Sequence, residues 1–194
     1  MYNEKGEVKV EITTISPLLH DNPFDIVAGV KGKTPTKGAV QKYDPRQLYW
    51  MVNNKPYINP NDPYPPKGGI ICQPTDHIKG AMVNAAGKVK IGRASAKQYI
   101  KAMVFMRNKL VSLDKDKYDF IEPGVVRDKL GNCKYTEKPG FFTGLKIAFV
   151  LGVTFDVLLP EKVQEVLEIA GSMYGIGARR PDFGRFAVSS FIVS

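Results

Sequence analysis

Eight apolar residues, Leu145, Ile147, Phe149, Leu151, Val153, Phe155, Val157 and Leu159, occupy every second position of the stretch 145–159. A period of two puts them all on one face of an extended chain, the pattern of a β-strand with one buried side. Such a strand cannot stand alone, because it needs neighbours for its backbone groups and an apolar layer over its face. The sequence offers both. Val8, Val10 and Ile12 alternate with Lys9, Glu11 and Thr13 as a second strand, which Pro17 ends. Pro160-Glu161 opens a helix with the stripe Val163, Val166, Leu167, Ala170, Met173 and Tyr174, and a last strand is expected over 186–193.

Between these lies the remainder of the pattern. Pro74-Thr75-Asp76 predicts a helix start, with Ile78, Ala81, Met82 and Ala85 on one face and Gly87 as its stop. A second helix is expected over 95–107, burying Tyr99, Ile100, Met103 and Val104. Residues 118–142 read as strands with turns at Pro123-Gly124, Gly131-Asn132 and Pro139-Gly140. The order β-α-β-β-α-β predicts an α+β, ferredoxin-like (RRM-like) fold, an antiparallel sheet with both helices on one face, in a single domain over 1–194. Residues 21–69 show no helical period and read as a long, loop-rich, basic insertion between the first strand and first helix.

Charge narrows the function. The net charge of +9 is uneven: residues 31–109 hold 15 Lys/Arg and three acids, giving +12, and the rest holds 13 basic and 16 acidic residues, giving −3. Aromatics (Tyr43, Tyr49, Trp50, Tyr57, Tyr64) interleave with Lys42, Arg46, Lys55 and Lys67. A solvated basic face would account for the charge alone, but interleaved aromatics favour a nucleic-acid footprint. Cys72 and Cys133 stand far apart, which argues for isolated thiols and against a zinc site or disulfide framework. The apolar run 147–159 is broken by Gly152, Thr154 and Asp156, and Met1-Tyr2-Asn3-Glu4-Lys5 does not begin a signal peptide. A cytoplasmic protein without membrane, metal or cofactor is expected.

Residues 175–186 form a glycine-rich loop carrying Arg179, Arg180 and Arg185. Glycines admit close approach and guanidinium groups suit phosphates. A dinucleotide fingerprint is excluded, because the loop follows a helix and lacks the third glycine. Gly32-Lys33-Thr34 fails as a phosphate loop, with Val27 in place of glycine and Pro35 where a helix should begin. Phe183, between Arg180 and Arg185, is a candidate for stacking on a base, with Trp50 and Tyr64. Phe186 reads as core. Lys97 and Lys101 are like charges at i, i+4, which repel unless an anion lies nearby. His20 and His77 are the two groups able to move a proton at neutral pH, and neither has a serine, cysteine or carboxylate partner by spacing.

Two patches, Ile71-Cys72-Gln73-Pro74-Thr75-Asp76-His77-Ile78-Lys79-Gly80-Ala81 and the loop 175–186, resemble the RAMP superfamily of CRISPR-associated proteins. The first is similar to that family's Ile-Pro-Gly-Ser-Ser-Leu-Lys-Gly-Ala, departing from it at Gln73-Pro74-Thr75-Asp76. With Leu48-Tyr49-Trp50 and Pro17-Leu18-Leu19-His20, the same patches also resemble bacteriophage proteins of unknown role. The resemblance implies a ferredoxin-like fold that binds single-stranded nucleic acid, often as adjacent copies along the strand. It implies phosphate contacts at Lys79, Arg179, Arg180 and Arg185. Endoribonuclease relatives use a histidine near the first helix, a role that His20 or His77 would take.

Together these readings predict a non-catalytic protein gripping single-stranded RNA or DNA in a basic groove. Lys79, Lys88, Lys90, Arg93, Lys97, Lys101, Arg179, Arg180 and Arg185 would hold the backbone, and homo-oligomers or filaments would follow the strand. The rivals are a metal-independent endoribonuclease using His20 or His77, and a phage structural or inhibitory protein whose basic insertion grips an acidic partner.

Overall fold

The computed structural model describes residues 5–20, 40–41, 48–57, 65–127, 133–155 and 157–194. Among them the chain is a mixed α+β protein built on antiparallel sheets. The first sheet takes β1 (Lys5–Thr14), β9 (Val104–Met106), β13 (Lys146–Thr154) and β14 (Phe186–Val193), in the order β14-β1-β13-β9. Every pairing in it is antiparallel, with Val8 opposite Leu151 and Val10 opposite both Phe149 and Phe191. The alternation decides its faces: Val8, Val10, Ile12, Ile147, Phe149, Leu151 and Val153 are all buried on one side.

The helices cover that side. Helix α1 (Thr75–Ala85) buries Ile78, Ala81, Met82 and Ala85, the stripe its spacing predicts. Helix α2 (Lys97–Met103) is shorter than expected, because Val104, Phe105 and Met106 leave it to pair with β13 as an edge strand. Helix α3 (Pro160–Ile169) has proline in its first turn and buries Val163, Val166 and Leu167. It then widens into a π-helical turn, Ala170–Tyr174, in which Gly175 N–H donates to Ala170 O at 2.9 Å. The wider turn advances less per residue than an α-helix, so Met173 rotates outward and is 52% exposed instead of extending the stripe.

Strand β13 also stops short of the alternation. It ends at Thr154, and Val157 and Leu159 are exposed in the turn leading to α3. Conversely, part of the expected loop is ordered as β4 (Tyr49–Val52) and β5 (Lys55–Tyr57), a hairpin turned by Asn53 and Asn54 at φ 51 and 58. Asparagine tolerates that left-handed backbone, which two-residue hairpins require. This hairpin joins β6 (Ile70–Pro74) and β10 (Leu110–Lys115) in a second sheet, ordered β10-β6-β4-β5. Leu48, Trp50, Ile71, Val111 and Leu113 bring that sheet into the same core.

In the third sheet, β11 (Phe120–Arg127) pairs with β12 (Cys133–Phe141), which also pairs with β2 (Leu18–Leu19) and, in parallel, with β3 (Val40–Gln41). Pro123-Gly124 and Pro139-Gly140 are not turns, since both lie within paired strands. Their glycines serve close packing: a Cβ on Gly140 would collide with the Phe120 ring, and one on Gly124 would collide with the Arg179 guanidinium. Gly131-Asn132 lies outside the described residues.

Candidate nucleic-acid interface

The loop 175–186 is bound to its own chain on most sides. Gly175, Gly177 and Gly184 have left-handed backbones, at φ 67, 78 and 74. A Cβ on Gly177 would run into Leu19 O, and one on Gly184 would run into Ile176 O. Backbone bonds finish the fastening: Ala178 N–H donates to Leu19 O at 2.8 Å, and Gly184 N–H to Pro17 O at 2.7 Å. These close approaches are internal, and the glycines serve them rather than a ligand. Phe186 is core, as its pattern predicts.

The three arginines divide. Arg179, itself left-handed at φ 51, lays its guanidinium over Gly124. It donates to Pro123 O at 2.9 Å and lies 3.8 Å from Glu122. It is a latch between the loop and the β11–β12 hairpin as much as a surface cation. Arg180 and Arg185 are exposed, and Phe183 is half-buried between them.

Beside this loop lies a cleft of about 610 Å³. Helix α1 contributes His77 and Asn84, β12 contributes Lys138, and the loop contributes residues 177–181, including Arg179 and Arg180. Arg180 is the exposed cation of this lining, whereas Arg179 lies 3.8 Å from Glu122 and Lys138 is buried on the strand opposite that carboxylate. Sequence reading missed Lys138 and Asn84. Asn84 carried a signal, since it sits seven residues after His77 on one helical face. Lys138 carried none, because only its register opposite Glu122 and the folded-back loop bring it here.

A second cationic group follows α1 in the chain. Lys88 follows the helix end, four residues after Asn84. Lys90 is in β7 (Lys90–Ile91), which pairs with β8 (Ala94–Ser95) across a turn holding Arg93. Lys88, Lys90, Arg93, Lys97 and Lys101 are all exposed, and residues 77–113 contain eight lysines or arginines and no acid.

Other expected site residues sit elsewhere. Lys79 donates its ammonium to the carbonyl oxygens of Ile100 and Val104, at the end of α2, and burial pulls its pKa down to about 8. That ammonium is committed to the fold, so Lys79 is not poised for phosphate. Trp50 is 4% exposed in the core, with no open face for a base, and the stacking role does not stand for it. Tyr64 lies outside the described residues. His20 is buried between Phe141 and Tyr49, with ring centroids 5.2 and 6.2 Å away. Burial, with a smaller push from His77, lowers its pKa to about 3. A sealed imidazole cannot meet a ribose hydroxyl, so the base role falls away for His20. Among the described residues no cluster of three or more His, Cys, Asp or Glu could hold a metal. Cys72 is a buried free thiol, pushed up to about 12 by burial and by Asp114.

The sheet face away from the helices carries an exposed aromatic, Phe105 of β9, opposite Gly152. It carries Glu7 paired with Arg107 at 3.0 Å and Glu11 near Lys146 at 3.7 Å. An aromatic pair lies elsewhere: Phe142, 62% exposed, stacks on Phe120 with centroids 5.3 Å apart. The doublet Phe141-Phe142 at a strand end was its signal, since alternation buries one ring and exposes the other.

No known protein family and no curated protein matches this chain in sequence. Among solved structures it is similar to a chain in a cryo-EM structure of the Type III-B Cmr-beta bound to cognate target RNA. The TM-score is 0.52 at 14% identity, over 98% of this chain and 61% of that one. It thus spans about three fifths of that relative's length. A chain of a Type IV-B CRISPR complex aligns with TM-score 0.48 at 9% identity, over 97% of this chain and 90% of that one. The first likeness is one of fold, and it agrees with the RAMP-like architecture that the two sequence patches imply. Among the described residues no helix is long and apolar enough to cross a membrane.

Proposed function

We propose that this protein binds single-stranded RNA or DNA without cleaving it. The strand would run from the cleft between α1 and the loop 175–186 onto the basic hairpin β7–β8. The observation that carries this is the acid-free segment 77–113, whose five exposed cations Lys88, Lys90, Arg93, Lys97 and Lys101 follow the cleft-lining helix α1 in the chain. The strand order β14-β1-β13-β9, with α1 and α2 in one crossover and α3 in the other, supports reading the first sheet as ferredoxin-like. The structural neighbour is a chain of a Cmr-beta structure bound to cognate target RNA, which supports the choice of ligand. Arg180 holds phosphate in the cleft and Arg185 beside it on the loop, Phe183 offers one ring for stacking, and adjacent copies share one strand.

The test is fluorescence anisotropy with labelled 30-nucleotide oligo(U) and oligo(dT), titrated across potassium chloride concentrations. Log affinity should fall linearly with log salt, by about 0.7 per phosphate neutralised. Affinity indifferent to salt, or no binding at low salt, sinks the proposal and leaves an acidic protein partner as the better reading. Intact oligonucleotide after incubation in EDTA is the expected companion result, and cleavage lost in His77→Ala would make the protein an endoribonuclease.

A further inference from the structure

The buried stripe of α3 runs through Val163, Val166, Leu167 and Ala170, and the next large apolar residues in the sequence are Met173 and Tyr174. An α-helix would carry that stripe onward. The π-helical turn redirects it, and the turn is held where it is by β14: a Cβ on Gly171 would overlap the Phe186 carbonyl oxygen. Ala170, Gly171, Gly175 and Ile176 are all buried around that contact. Met173 is left exposed and Tyr174 half-buried, and both line the cleft beside the loop 175–186. Single π-turns inside helices occur often at functional sites.

The rest of the lining supplies what an apolar wall lacks. The π-turn packs against α1, whose exposed Asn84 lines the same cleft. A carboxamide offers both donors and an acceptor, and the Asn84 side chain makes no hydrogen bond among the described residues. Arg180, exposed on the loop, makes no ion pair among them either. A site for phosphate alone has no use for Met173 and Tyr174. An apolar peptide side chain would leave the amide and the guanidinium unused. A nucleotide engages all of them: its base has an apolar face and a polar edge, and its phosphate lies one sugar away. The cleft, at about 610 Å³, has room for one, since small-ligand sites run from about 300 to 1,000 Å³.

We propose that the cleft is a nucleobase pocket. One base leaves the stack and lies on Met173 and Tyr174, Asn84 hydrogen-bonds its polar edge, and Arg180 holds the phosphate. The thioether suits this place, because sulfur is polarizable and meets aromatic rings favourably without demanding one shape. The pocket gives a basic surface a point at which bases are read, since phosphate contacts carry no sequence information. That the base belongs to a strand rests on the strand-binding reading above; the pocket itself is testable with a free nucleotide.

Methyl NMR of methionine-labelled full chain gives the direct test. The Met173 methyl signal, identified by its loss in Met173→Leu, should move upfield with millimolar adenosine or uridine monophosphate, because a base stacked on it imposes a ring current. Ribose phosphate, which has no base, should leave the signal in place. In Asn84→Ala the same shift should need several-fold more nucleotide. A signal that both nucleotides leave still overturns the pocket and favours a peptide in the cleft. One that follows ribose phosphate equally overturns it in favour of a plain phosphate site. Binding of oligo(U) supplies the second arm. Asn84→Ala should weaken it about 3- to 10-fold, as the loss of a hydrogen bond. Its salt slope should not change, because no phosphate contact is lost, whereas Arg180→Gln should lower the slope by about 0.7. A flatter slope in Asn84→Ala overturns the placing of that amide on a base. A wild type whose Met173 signal answers to nucleotide but which binds no oligonucleotide overturns the strand-binding reading and upholds the pocket.

Discussion

In the loop 175–186, each glycine with a left-handed backbone is packed against the chain, Gly175 and Gly184 within the loop itself and Gly177 against Leu19, whereas Gly80 and Gly92 of the helix–hairpin segment face open space. The cations differ in the same sense. Arg179 is latched onto Pro123 and Glu122, while Lys88, Lys90, Arg93, Lys97 and Lys101 stand exposed on a stretch without acids. Glycine beside arginine is thus no sign of a ligand until one knows what lies opposite. The loop that looks most like a binding motif is in large part a fastening, and the plainer segment 77–101 holds the charge still available to a partner.

The largest test of this contrast is Gly184→Ala. Its Cβ would press on Ile176 O, from a backbone at φ 74 that alanine disfavours, with no flexible atom able to yield. A loss of about 3 kcal/mol or more in urea unfolding is expected. Gly92→Ala, in open space, should lose only about 1 kcal/mol, from its φ alone. Similar losses at the two sites would erase the distinction. Next in size, changing Lys88, Lys90, Arg93 and Lys97 together to Gln should weaken oligonucleotide binding roughly 100-fold at low salt. The salt slope should fall by about 0.7 for each phosphate no longer neutralised, with the melting temperature nearly unchanged. Arg179→Met should do the reverse, lowering stability by about 1–3 kcal/mol and moving the salt slope little. If Arg179→Met flattens the slope as much as the quadruple change, the latch reading is wrong.

Where the sequence was legible, one period sufficed. Val8 to Ile12 and the alternation from Ile147 to Val153 are buried as read, because burial on one sheet face acts residue by residue. The α1 stripe held for the same reason. What failed was set by distant segments. Pro123-Gly124 reads as a turn, yet Gly124 is there to admit Arg179, which lies 55 positions on in the sequence. Trp50 reads as a stacking ring among lysines, yet β4 pairs with β6 and carries it into the core. The cleft itself was half visible: His77, Arg179 and Arg180 were candidates, and Lys138 waited on a strand register that no local pattern announces.

The histidines extend the comparison to an interior site against an open one. His20 has a folded pKa of about 3 against 6.5 when exposed. Below pH 6.5 the unfolded chain binds a proton that the fold refuses, so stability should fall as pH drops from 6.5 toward 3. The slope is about 1.4 kcal/mol per unit, roughly 2 kcal/mol by pH 5. His20→Leu should remove this slope from urea midpoints measured at pH 7 and pH 5. A slope that survives His20→Leu would assign the acid sensitivity to other groups.

The smallest expected effect is the most diagnostic, because its two readouts have opposite signs. Gly80 sits in α1 between His77 and Asn84, which line the cleft, and a Cβ there would meet nothing in the chain. Packing does not require a glycine at this position, and helix propensity disfavours it. Gly80→Ala should therefore stabilise the fold by about 0.5–1 kcal/mol, since alanine loses less backbone entropy on entering a helix. If a strand's sugar–phosphate backbone crosses α1 at this gap, the added methyl holds it off, and affinity for oligo(U) should drop several-fold while the melting temperature rises. A variant that is more stable and binds equally well would mean that the strand passes elsewhere, over the hairpin alone. A variant that is less stable would mean that Gly80 is held by the fold after all, as the glycines of the loop are.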